Sequence, residues 1–258
     1  MTMIEITFAS LAFISFMCFF AGFVDSIAGG GGLISLTSYY AIGLPMTYAL
    51  GNNKFSSTFG TFFATINYSR KKTVVWKVGI SASIFALIGS SIGSRIALMI
   101  EGEFFSYIML VLLPVLTFFT FFRPKSKEEG PESFELTSSK LAAASFFGFL
   151  IGVYDGFFGP GTGMFLTLAF SFLSMPLLEA SGTTKIVNLS SNVAALTTFV
   201  INGNINYRIG VPCALASIIG NILGSRFAIR KKSKAIRPML LFVIILLYIK
   251  IASDVFMS

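Results

Sequence analysis

The chain has 258 residues, 55% of them hydrophobic and 12% charged, with a mean hydropathy of +0.83 and a net charge of +8. Soluble domains carry about 25% charged residues, so a water-soluble globule is excluded. The basic residues sit in short loops between apolar runs, not along one face, which excludes a nucleic-acid-binding stripe and reads as membrane orientation.

There is no histidine, and Cys18 and Cys213 both fall inside apolar runs. That inventory assembles neither a disulfide framework nor a Cys/His metal centre, and no cofactor is expected.

Taken in order, the first apolar segment covers about 4–28. No Lys or Arg precedes Lys54, so this run lacks the basic start of a cleavable signal and is expected to persist as a helix. It ends in Gly22-Phe-Val-Asp25-Ser and the glycine run Gly29–Gly32. A short second segment, 33–45, closes at Pro45. The third, 47–69, carries Gly51-Asn52-Asn53-Lys54 and then Ser56, Ser57, Thr58 and Thr61. Segments at 74–100 and 103–122 complete the first half. Arg123 to Lys140, with eight charges and two prolines, is a solvated linker. The second half offers segments at 137–159, 163–175, 177–201, 206–229 and 236–257. Its own glycine break is Gly159-Pro-Gly161-Thr-Gly163, and its own lysine motif is Gly182-Thr183-Thr184-Lys185.

These halves are copies. With an offset of 131, positions 32–97 lie on 163–228 without a gap, and 13 of the 66 pairs are identical. The identities include Pro45/Pro176, Lys54/Lys185 and Gly93-Ser-Arg95/Gly224-Ser-Arg226. The expected fold is an all-α polytopic membrane protein of two repeats, 1–122 and 141–258, joined by the 123–140 linker. Each repeat has about five helical segments, one of them a short broken or re-entrant helix.

Loop charge gives direction. Arg70-Lys-Lys72 follows the third segment, whereas its mate Asn202-Gly-Asn204 is uncharged; Glu101-Gly-Glu103 is matched by the basic Arg230-Lys-Lys-Ser-Lys234. Equivalent loops with opposite bias predict repeats of inverted topology, both termini outside and the linker cytoplasmic.

An ionisable residue at membrane depth costs a few kcal/mol or more and marks a functional site by default. Lys54 and Lys185 are read as the positive charges of an anion site. Asn52, Asn53, Thr183 and Thr184 would add donors where a helix is expected to restart after a break, with Asn188 on the same polar stretch. Helix N-termini suit oxyanions. The alternative is that the lysines snorkel to the interface. Gly30, Gly31 and Gly161 would let backbone approach the substrate or let a helix unwind beside a cavity. Asp25 and Asp155, just before the two breaks, are either proton carriers or partners of the lysines and exposed N–H groups. Short segments interrupted by glycine and proline at matching places point to a transporter's binding site.

Ala21-Gly-Phe-Val-Asp-Ser-Ile-Ala-Gly-Gly-Gly-Gly-Leu-Ile34, Leu44-Pro45 and Gly51-Asn-Asn-Lys54 together resemble the sulfite exporter TauE/SafE family of membrane permeases. The second half looks like that family's weaker copy, from Gly152-Val-Tyr-Asp-Gly through Lys185 to Gly224-Ser-Arg226. The resemblance implies a carrier in a bacterial or archaeal inner membrane for small anions: sulfite, sulfonates or related organosulfur or carboxylate oxyanions. It implies an ion gradient as the driving force; the proton is the candidate that Asp25 and Asp155 themselves suggest. It fixes neither the cargo nor the direction. Two other readings stay open, an anion channel using the same lysines and, with less to carry it, an intramembrane enzyme. The sequence leaves the oligomeric state undetermined.

Overall fold

The structure, a computed structural model, describes residues 7–100 and 134–231. The segments expected at 103–122 and 236–257, and most of the linker, lie outside the described residues. Among the described residues there are eight helices and no strand: α1 (Phe8–Ala28), α2 (Gly31–Ala41), α3 (Met46–Arg70), α4 (Trp76–Met99), α5 (Ser138–Phe157), α6 (Thr162–Phe172), α7 (Leu177–Ile201) and α8 (Tyr207–Lys231).

Local sequence sets the ends. Thr7 caps α1 by accepting from the Ser10 N–H, and Thr137 caps α5 by accepting from that of Lys140. Pro45 and Pro176 precede α3 and α7 with nearly the same backbone angles; a proline there forfeits no helical hydrogen bond. The turns also match across the offset. Gly43 and Ser174 are both left-handed, and so are Lys72 and Gly203.

Helices α1, α4, α5 and α8 are each long and apolar enough to cross a bilayer. Their outer faces carry large apolar side chains in helical register, such as Ile80, Ile84, Ile88 and Ile92 on α4, as a lipid-facing surface requires. The inner face of α4 is small: Ala82, Ala86, Gly89, Ser90 and Gly93. Gly148, Gly152 and Gly156 of α5 lie directly on the backbone of Ala82, Ala86 and Ser90. Gly220 and Gly224 of α8 lie in the same way on Phe19 and Phe23 of α1. Between membrane helices, close backbone approach replaces the hydrophobic drive that water would supply. Both seams, α4–α5 and α1–α8, join one half of the chain to the other and are the most extensive helix pairs among the described residues.

Helices α3 and α7 are 25 residues long but polar inside, burying Asn53, Lys54, Ser56 and Thr61 on one and Lys185, Asn188, Ser191 and Asn192 on the other. They pack on each other and on α8 and α4 respectively. Helices α2 and α6, of 11 residues each, reach roughly 16 Å at 1.5 Å per residue. That is about half of a 30 Å hydrocarbon core, so neither crosses it alone.

Candidate functional site

The site forms where the two glycine breaks collide. Gly29 ends α1 in the left-handed conformation, its N–H donating to the Asp25 carbonyl at 2.7 Å, and α2 starts two residues later. In the second half Gly159 and Gly161 both have positive φ, and α6 starts at Thr162. A side chain on Gly29 would strike the backbone of Gly163 and Met164, and a Cβ on Gly163 would lie 2.6 Å from the Gly29 Cα. Only glycine permits this contact. Neither α2 nor α6 has a side-chain cap; Leu33 of α2 and Thr162 and Met164 of α6 turn their N–H groups to the carbonyls of Gly30, Gly159 and Gly161 within the breaks themselves.

Two ion pairs flank this contact, and each joins opposite halves. Lys54 Nζ is 2.8 Å from Asp155 Oδ1, with both side chains 2% exposed. Lys54 also donates to Asn192 Oδ1 at 3.1 Å. Asp155 is held further by the hydroxyls of Thr162, 2.7 Å from Oδ1, and Ser191, 2.6 Å from Oδ2. Lys185 Nζ lies 3.1 Å from Asp25 Oδ2 and donates to the Asp25 main-chain oxygen as well. Here Lys185 is 3% and Asp25 17% exposed, so the second pair is the more open one.

Between the pairs is a polar cavity lined by Asp25, Asn53, Lys54, Asp155, Asn188 and Asn192 together with glycines of both breaks, among them Gly161. It admits little more than a water molecule,. Both lysines are neutralised in this arrangement, so an anion can enter only if a pair separates and the cavity widens.

The other residues singled out from sequence divide by position. Asn53 accepts from the Ser35 hydroxyl at the cavity wall, and Gly31 lines a second cavity beside Asp25. Gly30 caps α2. Asn52 donates to the Tyr48 carbonyl at 2.9 Å, and Gly210 of α8 packs against its Oδ1. Thr183 accepts from the Val75 N–H at 3.0 Å, and Thr184 bonds Thr167. Asn52, Thr183 and Thr184 are not among the residues that line the central cavity.

One expectation is corrected. No helix restarts at Asn52-Asn53 or Thr183-Thr184, because α3 and α7 run unbroken from Pro45 and Pro176. The helix N-termini at the site belong to α2 and α6, where positive-φ glycines make the break. Sequence reasoning also passed over Thr162, Ser217 and Asn221. A threonine inside a glycine run was the available signal for the first; the other two occupy positions that otherwise pack as small residues.

Arg95 and Arg226 of the two Gly-Ser-Arg motifs are exposed on the outer surface, away from the cavity.

Residues 14–251 match the family model described as Sulfite exporter TauE/SafE. The chain is 34% identical over 255 residues to a probable membrane transporter protein, ORF9, of a Sinorhizobium species, covering 97% of this chain and 95% of that one. It is 31% identical to a probable membrane transporter protein of Haemophilus influenzae, with 95% of each chain covered. It is also 31% identical to the probable membrane transporter protein YfcA of Escherichia coli K12, covering 95% of this chain and 90% of that one. No solved structure matches. With both halves, both breaks and all four charged residues inside the matched range, the chain belongs to the sulfite exporter TauE/SafE family.

Proposed function

We propose that this chain is a multi-pass membrane transporter that carries small oxyanions, with sulfite, sulfonates and related organosulfur or carboxylate anions as the substrate class. The observation that carries this reading is the exchange of ion pairs between halves, Lys54 with Asp155 and Lys185 with Asp25, around one polar cavity. Family membership and the names of its relatives, all membrane transporters, support transport itself. A scaffold has no use for four charges at membrane depth, each of which costs a few kcal/mol or more.

In this mechanism one half rocks against the other about the α3–α7 contact. Separating a pair exposes an ammonium group, and the first N–H groups of α2 or α6 add partial positive charge beside it. The anion replaces the carboxylate as the lysine's partner, and closure carries it to the other side. The inverted arrangement of the halves, with the linker cytoplasmic and both termini outside in a cell (inner) membrane, gives this motion its two equivalent end states. The repeated turns at Gly43/Ser174 and Lys72/Gly203 and the paired cross-half seams support such a symmetry.

The test is uptake of labelled sulfite, taurine and small carboxylates into liposomes holding the purified protein under an imposed proton gradient. Accumulation above equilibrium that an uncoupler abolishes is expected for a transporter. Flux that never exceeds equilibrium under any imposed gradient would mean an anion channel instead.

A further inference from the structure

The two aspartates are repeat mates, yet their surroundings differ. Both carboxylate oxygens of Asp155 accept hydrogen bonds from buried donors: Lys54 and Thr162 on Oδ1, Ser191 on Oδ2. Asp25 is held by Lys185 on Oδ2 and borders two cavities, the central one and another between α1, α2, α3 and α8. That second cavity is lined by Ser35, Ser56, Ser57, Thr61, Ser217 and Asn221 as its polar residues. Two of their buried oxygens, Thr61 Oγ1 and Asn221 Oδ1, have no hydrogen-bond partner among the described residues, although each residue is only 1% exposed.

The equivalent positions in the other half are satisfied. Asn192, the mate of Thr61, accepts from Lys54, and Ser90, the mate of Asn221, donates to the Ser191 carbonyl at 2.6 Å. Buried polar atoms without partners are rare in folded proteins. A site of this size with several convergent oxygens suits one water molecule,.

From these contrasts we propose that Asp25, and not Asp155, is the carboxylate that takes up and releases a coupled proton, delivered by a water held between Asp25, Thr61 and Asn221. The proposal rests on the oxyanion-transport reading and specifies its coupling.

The charged and titratable groups around Asp25 set the chemistry. Lys185 faces it from α7, and Asp155 of α5 and Lys54 of α3 face it across the central cavity. Tyr68 of α3 donates to the neighbouring Ser26 carbonyl, and Cys18 of α1 lies in the second cavity, bonded to Tyr39 of α2. From α6 and α8 no titratable side chain lines either cavity. A metal ion at Asp25 would sit against the Lys185 ammonium and be repelled. A proton instead forms an O–H bond on Asp25, removes its charge and releases that ammonium. The freed positive charge is then matched by the incoming anion, so a proton enters with each negative charge.

Dicyclohexylcarbodiimide, which attacks protonated carboxyl groups within membranes, tests this on the wild-type protein, with mass spectrometry locating the label. Asp25 is expected to be labelled, faster as pH falls, while Asp155 stays unlabelled. Thr61→Val, which removes one unpaired oxygen at constant shape, is expected to slow the Asp25 label. Label on Asp155 at an equal or greater rate, label on neither, or an unchanged rate in Thr61→Val would overturn the proposal. Anion flux measured on the same preparation separates the two claims. Flux with label on Asp155 discards the choice of Asp25 alone. Label on Asp25 in protein that moves none of the anions discards the oxyanion reading and leaves the carboxylate assignment standing.

Discussion

Lys54 and Asp155 belong to different halves of the chain, yet their charged atoms lie 2.8 Å apart with each side chain only 2% exposed. Lys185 and Asp25 repeat the exchange in the opposite sense. Each half therefore supplies the counter-ion of the other, and any motion that separates the halves here uncovers charge in both.

The two lysines should differ in their cost to stability. Lys54→Ala strands Asp155, which is only 2% exposed, and breaking such a buried pair costs about 3–5 kcal/mol. Lys185→Ala leaves an Asp25 that is 17% exposed and borders a second polar cavity that Asp155 does not reach, so its loss should be clearly smaller. The double variant Lys54→Ala/Asp155→Ala should regain a large part of what Lys54→Ala loses. Thermal unfolding in detergent measures all three, and equal losses for the two single lysine variants would contradict the asymmetry.

Transport should respond differently from stability. Lys54→Gln/Asp155→Asn and Lys185→Gln/Asp25→Asn keep hydrogen-bonding side chains and remove charge in balanced pairs. Both are expected to remain folded and to lose anion uptake in liposomes. Normal uptake by either double variant would take that pair out of the mechanism.

The inverted arrangement is testable at two exposed turns. Lys71 and Asn202 are repeat mates that follow α3 and α7, and both are exposed. The native Cys18 and Cys213 are buried, so a single introduced cysteine supplies the reactive thiol. Lys71→Cys is expected to react with an impermeant maleimide from the cytoplasmic side and Asn202→Cys from the outside. Reaction of both from one side would leave the repeats parallel.

Much of this was legible in the sequence because membrane burial leaves a coarse, strong signal. Segment positions follow from apolar runs and from prolines 45 and 176; the 177–201 segment matches α7 residue for residue. The pairing of lysines with aspartates was foreseeable because unpaired charge at depth is so costly. The swap between halves was not. Sequence offset relates Lys54 to Lys185 but carries no information on which aspartate each one meets. The true helix starts were also hidden, because an Asn-Asn or Thr-Thr pair looks like a cap when the glycine break is read as loop. The unpaired Thr61 and Asn221 depend on packing between α1, α3 and α8, which only three-dimensional contact defines.

Glycines with similar backbone angles should fall into two energetic classes. Gly29→Ala introduces a Cβ at φ +80 directly against the Gly163–Met164 backbone, where no side chain can move aside. It should prevent the breaks from meeting and abolish both monodisperse protein and transport. Gly203→Ala has a comparable φ of +71 but nothing within 4 Å. Its cost is the left-handed conformation alone, about 1–2 kcal/mol, and its transport should be near wild type. Monodispersity in detergent and uptake assays report both, and a well-folded, active Gly29→Ala would refute the backbone contact at the centre of the site.

The duplicated turns allow one half to correct the other. Gly43 and Ser174 occupy mate positions after α2 and α6, with φ of +88 and +69. Each turn is closed in the same way: Leu44 and Met175 donate to the carbonyls of Tyr39 and Phe170 at 3.3 and 3.2 Å. Serine in this conformation carries a steric penalty that glycine avoids, roughly 1–2 kcal/mol, offset in part by the greater freedom glycine gains when unfolded. Ser174→Gly should therefore stabilise the protein by about 1 kcal/mol or less, while Gly43→Ser should destabilise it by a similar amount. Neither residue lines the central cavity, so transport should be unchanged in both. Opposite shifts in thermal unfolding temperature with constant uptake are the expected result. A destabilised Ser174→Gly would mean that the two turns, despite matching angles, are held by different interactions.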